Sequence, residues 1–512
     1  MRRFISLLSA VLLAAAPVFA QDSPKREFRG AWLHIVGNQQ IKNMSREQIQ
    51  EWFAATLDCL AEQGCNAVIF QVRPQADAFY ASELEPWTRF LTGAQGVAPD
   101  PFWDPLQFMI EQCHARGMEL HAWLNPYRVT SNDKEQLWPG HLYFRKPEIF
   151  KRYGRQLYFD PGEPEAIAHT VSVIADIVRR YDVDAIHFDD YFYPYPERHE
   201  EFHDDASFAK YGAAQGFEYW QKNDWRRHNV ETLIHTANDS IKAIKPWVRF
   251  GISPFGIHRN KKDTPDGSGS ETNGLSNYDE LFADVPGWAE KGYIDYIAPQ
   301  LYWRIGYPAA DYEVLIRWWN AQNYKGHLYI GQNIASFSEA DPANPAVTQT
   351  ERKISLSRTL PNVDGNVWWP GWSLAPQVQP GASQRPAKAG DKAFALQDSL
   401  KTVYQKHLAL IPAYTDLDAV APDAPVSVHA SAKGISWKAA ASDDVMQQPH
   451  FYVVYRFDAG QKPDLSQNSH IVAITRDTHY LPAEKRSGKH IYVVTVVDKC
   501  WNESEASAIV KW

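Results

Sequence analysis

The sequence predicts an α/β protein, a (β/α)8 TIM barrel followed by a small all-β sandwich domain. Three observations carry that expectation. First, eight short strands, apolar throughout, alternate with eight helical stretches between residues 28 and 407; strands of that kind belong to a parallel sheet covered on both faces. Second, eight such units match a closed barrel with long loops. Third, the texture changes after Tyr414: residues 415–425 are rich in Ala, Pro and Asp and read as a linker, and short alternating strands fill residues 426–512. A doubly wound open sheet is the competing layout. It usually brings a Gly-rich turn after the first strand, whereas Leu33-His34-Ile35-Val36-Gly37-Asn38 holds a single Gly.

The barrel domain is expected over residues 27–414. Strand one covers residues 28–34. Ser45 then opens a helix as an N-cap, and Gly64 suits the left-handed residue that ends it. Strand two is 65–72, helix two 104–117, strand three 118–124, helix three 163–181 and strand four 183–188. A long helical region, 205–245, leads to strand five at 248–252. Helix five is 278–291, strand six 294–298, helix six 309–322 and strand seven 327–330. Helix seven is 349–360, strand eight 365–369 and helix eight 393–407. In the last ninety or so residues, the early Trp437 and a Tyr on a late strand resemble a fibronectin type III module.

Length and composition narrow the function. A chain of 512 residues exceeds what one compact core usually serves. A net charge of −9 argues against a nucleic-acid partner. Residues 1–20 read as a secretory leader: Arg2 and Arg3, an apolar run, then Val18-Phe19-Ala20 as the cleavage site. The run is too short to span a membrane. A periplasmic or extracellular, soluble and monomeric protein beginning near Gln21 is therefore expected. Cys59, Cys65 and Cys113 lie in apolar segments and read as core thiols. His34 and His187 invite a metal reading, but no HExxH or clustered His pattern exists. Neither a metal nor another cofactor is expected.

In barrels the chemistry sits at the C-terminal ends of the strands. Here those ends bear His34; Arg73 and Asp77; Asn125, Tyr127 and Arg128; Asp189, Asp190 and Tyr191; Gln300, Tyr302 and Trp303; and Trp369. Amides, charges and aromatics at almost every end point to a polar ligand with apolar faces, as a sugar is. Asp189 and Asp190, adjacent at the end of strand four, are the candidates for proton transfer; bland alternatives are a helix cap and an Arg pair. The other named residues are candidates for substrate binding, with Trp87, Phe102, Trp103 and Tyr193 as further rim aromatics.

Several runs are similar to the glycosyl hydrolase-like 10 family: residues 28–32 (FRGAW), 70–80 (FQVRPQADAFY), 122–128 (AWLNPYR) and 186–194 (IHFDDYFYP). The resemblance implies a (β/α)8 glycoside hydrolase fold and action on bacterial cell-wall or related glycans. True family 10 xylanases carry Glu after strands four and seven, where this chain has Asp189-Asp190 and Gln332-Asn333. Adjacent acids suit a different scheme, in which one protonates the leaving oxygen and its neighbour orients the substrate's own 2-acetamido group. Asp190 is expected to be the acid, Asp189 to orient, and Tyr302 to assist. A second carboxylate from Asp77 or Glu271 is the competing arrangement. Arg73 and Arg128 suit fork-like bonds to a carboxylate, such as the lactyl group of muramic acid in strands without stem peptides. A non-catalytic carbohydrate-binding barrel is the alternative function. A deacetylase would need a metal triad that the sequence lacks.

Overall fold

The computed structural model describes residues 23–380 and 392–512, so the expected leader over residues 1–20 lies outside it. Eight strands form a closed barrel: β1 Phe28–Leu33, β2 Ala67–Arg73, β3 Glu119–Leu124, β4 Ala185–Phe188, β5 Arg249–Ile252, β6 Tyr296–Ile297, β7 His327–Asn333 and β8 Val363–Trp369. Each pairs in parallel with its chain neighbours, and β8 closes on β1. The main covering helices are α1 Arg46–Glu62, α2 Pro105–His114, α3 Pro164–Arg180, α4 Lys222–Ile244, α5 Val285–Lys291, α6 Tyr312–Asn320, α7 Thr350–Thr359 and α8 Lys392–Ser399. Their starts follow local chemistry. Ser45 and Gln48 form a reciprocal capping box at α1. Asp104 caps α2, whose first residue is Pro105. Gly64, at φ +79°, ends the first unit in the left-handed region. Among the described residues, no helix is long and apolar enough to cross a membrane.

Some boundaries differ from expectation. The helical region 205–245 is two helices, Asp205–Tyr211 and α4, parted by a turn in which Gly216 has φ +88°. The expected helix 278–291 breaks into Asn277–Glu280 and α5, because Pro286 belongs in a first turn, where a missing N–H costs nothing. The long loop after β3 folds into a small antiparallel hairpin, Phe150–Tyr153 with Gln156–Phe159, in a stretch where no strand is expected from sequence.

Alternate residues of each strand point into the barrel, where Phe28, Trp32, Ile69, Trp123, Tyr296 and Tyr329 pack. Gly251 is needed there: a Cβ would stand 1.9 Å from the Tyr296 ring. The interior is also polar along one line. Trp32 Nε1–H donates to His187 Nε2 at 3.1 Å. That leaves the His187 proton on Nδ1, facing Tyr296 Oη at 2.8 Å. The Tyr296 hydroxyl then donates to His121 Nδ1 at 2.8 Å, and His121 Nε2–H to Glu119 at 2.9 Å. Burial holds His187 neutral, its pKa well below the usual range.

Beyond Tyr414 two antiparallel sheets follow. With β9 Val426–Ser431, β10 Gly434–Lys438, β11 Phe451–Asp458, β12 Ile471–Thr475, β13 His479–Tyr480, β14 His490–Val497 and β15 Val510–Lys511, their orders are β9-β10-β13 and β12-β11-β14-β15. Trp437 of one sheet packs with Tyr452, Tyr492 and Val494 of the other. The four-stranded sheet and its loops abut the N-terminal ends of the barrel strands, where Phe451, Val453 and Trp501 share a core with Phe28, Tyr296 and Tyr414.

Candidate active site

A cavity of about 410 Å³ opens at the C-terminal ends of the barrel strands. Asp189 and Asp190 are the carboxylates that line it. Asp189 continues the inward face of β4, two residues after His187. The chain turns there, so Asp190 reaches the same cavity instead of the outer face. Asp189 is held from β3: Trp123 Nε1–H donates to Oδ2 at 3.1 Å, and Asn125 Nδ2–H to Oδ1 at 3.0 Å. Asn125 is in turn fixed by its own loop, its Oδ1 accepting from the Arg128 N–H at 2.7 Å. Asp190 accepts a short hydrogen bond from the Tyr195 hydroxyl.

Burial disfavours the charged form of both acids. It pushes Asp189 up to about 7, opposed by the Arg128 guanidinium and assisted by the charge of Asp190. Asp190 is raised as well, by burial against the Tyr195 hydrogen bond. Both carboxyls therefore hold a proton more readily than an exposed acid does. A site built so can deliver a proton to a leaving oxygen while keeping a hydrogen-bonded partner beside it.

The walls are aromatic and amide-rich. Trp369 lies parallel to Tyr302, with centroids 6.5 Å apart, and 4.8 Å from the His34 ring. Arg128 lies 4.7 Å over the Tyr191 ring while donating to the carbonyl of Pro74. Gln300 is anchored by the Ser253 carbonyl at 3.0 Å. His34 is driven down to about 4 by burial, so it is a neutral wall at working pH.

The cavity thus gathers His34, Arg128, Asp189, Asp190, Tyr191, Gln300, Tyr302 and Trp369 of the residues singled out from sequence. It does not gather the rest. Arg73 is fully buried and forks onto Glu85 at 2.7 and 2.6 Å. Asp77 is fully buried, accepts from Gln95 at 3.0 Å, and does not line the cavity. Asn125 and Tyr127 are buried too; Asn125 acts through Asp189, not on a ligand. Trp303 packs edge-on against Phe255, centroids 5.4 Å apart, outside the cavity. Tyr193 and Trp103 are core residues, and Glu271 is an exposed surface acid paired with Lys261. Neither competing second carboxylate reaches the pair.

Trp32, Gln71, Trp123, Tyr195 and Ser253 line the cavity as well, outside the set of candidate site residues. Strand alternation was the available signal for Trp32, Gln71 and Trp123, since each sits on an inward position near a strand's end. Gln71 Oε1 accepts from the N–H groups of Ile35 and Val36 at 2.8 and 2.9 Å, fixing the loop beside His34.

The sequence model described as glycosyl hydrolase-like 10 matches residues 27–348. The chain is 38% identical over 525 residues to "Glycosyl hydrolase YngK" of Bacillus subtilis (strain 168), covering 99% of this chain and 97% of that one. It is 36% identical over 381 residues to "Glycosyl hydrolase DigH" of Escherichia coli (strain K12), covering 69% of this chain and 84% of that one. Among solved structures, the PgaB (BpsB) glycoside hydrolase domain from Bordetella bronchiseptica aligns with a TM-score of 0.45 at 12% identity, over 73% of this chain and 99% of that one.

Proposed function

The chain belongs to the glycosyl hydrolase-like 10 family and is a glycoside hydrolase, and on that premise we propose that it cleaves N-acetylated glycans of the bacterial cell wall. The observation that carries the proposal is the acid pair. An enzyme with two opposed carboxyls places them roughly 5 Å apart for retention or 6.5–9.5 Å apart for inversion, on either side of the bond. Here the two acids lining the cavity are neighbours in sequence at one strand's end. Adjacent acids fit a substrate that brings its own nucleophile, the 2-acetamido carbonyl oxygen.

In that scheme Asp190 protonates the glycosidic oxygen. Asp189, clasped by Trp123 and Asn125, accepts the acetamido N–H and steadies the charge that grows as its carbonyl attacks the anomeric carbon. The Tyr302 hydroxyl, which has no partner among the described residues, is placed to hold the acetamido oxygen. Trp369 and Tyr302 offer parallel faces to the pyranose. Arg128 supplies the cation for a lactyl carboxylate of muramic acid, so peptide-free strands are the favoured substrate. Residues 1–20 supply export, and the terminal sandwich is a fibronectin type III-like module that docks and braces the barrel.

Digestion of a panel of glycans, with mass spectrometry of the products, tests this. New reducing ends are expected from peptide-free cell-wall strands with the wild type. Asp190→Asn, which keeps size and hydrogen bonding, should lower the rate by about 10²–10⁴-fold while leaving binding in place. Binding without any product from the wild type would make the protein a carbohydrate-binding barrel instead.

A further inference from the structure

A second cavity, of about 470 Å³, lies on the same rim between the loop after β2 and the loop after β3. Its size suits a small-molecule or single-sugar subsite, about 300–1,000 Å³. Trp138, Trp87, Leu84 and Arg145 line it. Trp138 is 43% exposed, yet its indole is tightly seated. A Cβ on Gly96 would stand 2.4 Å from the ring, and one on Gly140 would stand 2.0 Å from it. Two glycines therefore make room for one exposed ring.

The backbone of that tryptophan is also tied to the interior. The Trp138 N–H donates to Gln95 Oε1 at 2.9 Å, and Gln95 Nε2 donates to the buried Asp77 at 3.0 Å. His141 Nδ1 accepts from the Tyr143 N–H at 3.1 Å, so its Nε2–H is left to donate to the Ala76 carbonyl at 3.2 Å. The buried acid that does not reach the active site thus supports this rim instead. At the mouth, the Arg145 side chain is exposed and has no ion-pair partner among the described residues.

We propose that this cavity is a second glycan-binding site, in which Trp138 stacks on a sugar ring and Arg145 meets a carboxylate on the same strand. The occupant is a distal stretch of the cell-wall glycan, so the inference rests on the substrate reading above. Arg128 of the active site donates to Pro74 O and its residue pairs with Tyr158 across a β-bridge. Ala76 and Phe159, two and one residues further on, line the second cavity. The loops after β2 and β3 thus contribute to both sites, Arg128 to the first and Ala76 and Phe159 to the second.

Retention on insoluble polymer tests the proposal. The probes are peptide-stripped cell-wall glycan, whose muramic acid bears a carboxylate, and chitin, which has none. Binding is measured in an Asp190→Asn background so that the polymer is not cleaved. Trp138→Ala is expected to weaken retention roughly three- to tenfold on both polymers, the size of one stacking contact. Arg145→Ala, an exposed change that leaves the fold alone, is expected to weaken retention on the cell-wall glycan only. With Asp190 restored, both variants should turn over a short soluble oligosaccharide at the wild-type rate. Unchanged retention in both variants would overturn the site, and equal loss on both polymers in Arg145→Ala would overturn the carboxylate contact. If wild type cleaves no N-acetylated oligosaccharide at all, the substrate reading fails, whatever Trp138 does on chitin.

Discussion

Asp189 and Asp190 differ in what surrounds them, and the difference makes separable predictions. Asp189 carries a buried carboxyl pushed up to about 7 from an ordinary value near 4. A carboxyl raised on folding contributes stability that is fully present below its unfolded pKa and is lost as pH rises through its folded one. Asp189→Asn removes that titration. The difference in melting temperature, variant minus wild type, is therefore expected to grow more positive between pH 4 and pH 8, whatever its offset. A pH-independent difference would mean that the acid titrates normally. Asn125→Ala removes an N–H that favours the ionised form of Asp189. The acid limb of the rate profile, set by the ionisation of Asp189, is then expected to move to higher pH, an outcome that mere loosening of the loop would not produce. The pair itself was legible in the sequence, because an apolar strand ending in two acids has few other uses. Its hydrogen-bond partners Trp123 and Tyr195 were not, because one comes from another strand and the other from a loop whose path no local pattern encodes.

The strands were legible for a simple reason. Buried on both faces, they are apolar throughout, and caps such as Ser45 and Asp104 punctuate what lies between them. Loops resisted. Arg73 stands at a strand's end and looks ready for a ligand, but Glu85, twelve residues on, folds back and neutralises it. Asp77 follows the same strand, yet its loop turns inward and delivers it to Gln95. In each case the partner sits in a segment with no periodicity, so only the folded chain reveals that the group is already satisfied. The rim is better regarded as two supported platforms than as a ring of independent aromatics: one carries Trp369 and Tyr302, the other Trp138. Trp303→Ala, by contrast, is expected to affect stability more than binding, because the ring packs on Phe255 and lies outside both cavities.

The terminal module closes the barrel's floor. Trp501 Nε1–H donates to Glu119, which also pairs with the fully buried Arg249. His450 reaches Asp184 at 3.2 Å, and Arg476 pairs with Asp182 at 2.8 Å. Glu119 is the foot of the hydrogen-bonded line through His121, Tyr296 and His187, whose far end lies under Asp189. The same chain of contacts thus joins the floor to the catalytic face. Trp501→Ala removes a buried indole and is expected to cost about 3–5 kcal/mol in denaturant unfolding. The linker should remain the first site of limited proteolysis, between Asp416 and Pro425, since much of it is exposed. Cutting inside the barrel units first would contradict that division of the chain. Where the terminal sheets sit was not legible in the sequence, because the acids and arginine at the strand starts look like ordinary surface charges until those sheets cover them.

One comparison bears most directly on the claim that the acid pair works through the substrate's own acetamido group. Turnover of a cell-wall-type oligosaccharide is measured beside that of the same oligosaccharide after N-deacetylation. Cleavage of the acetylated form, with the deacetylated form bound but intact, is the expected result. Equal cleavage of both would contradict it and require another nucleophile, a protein carboxylate or an activated water.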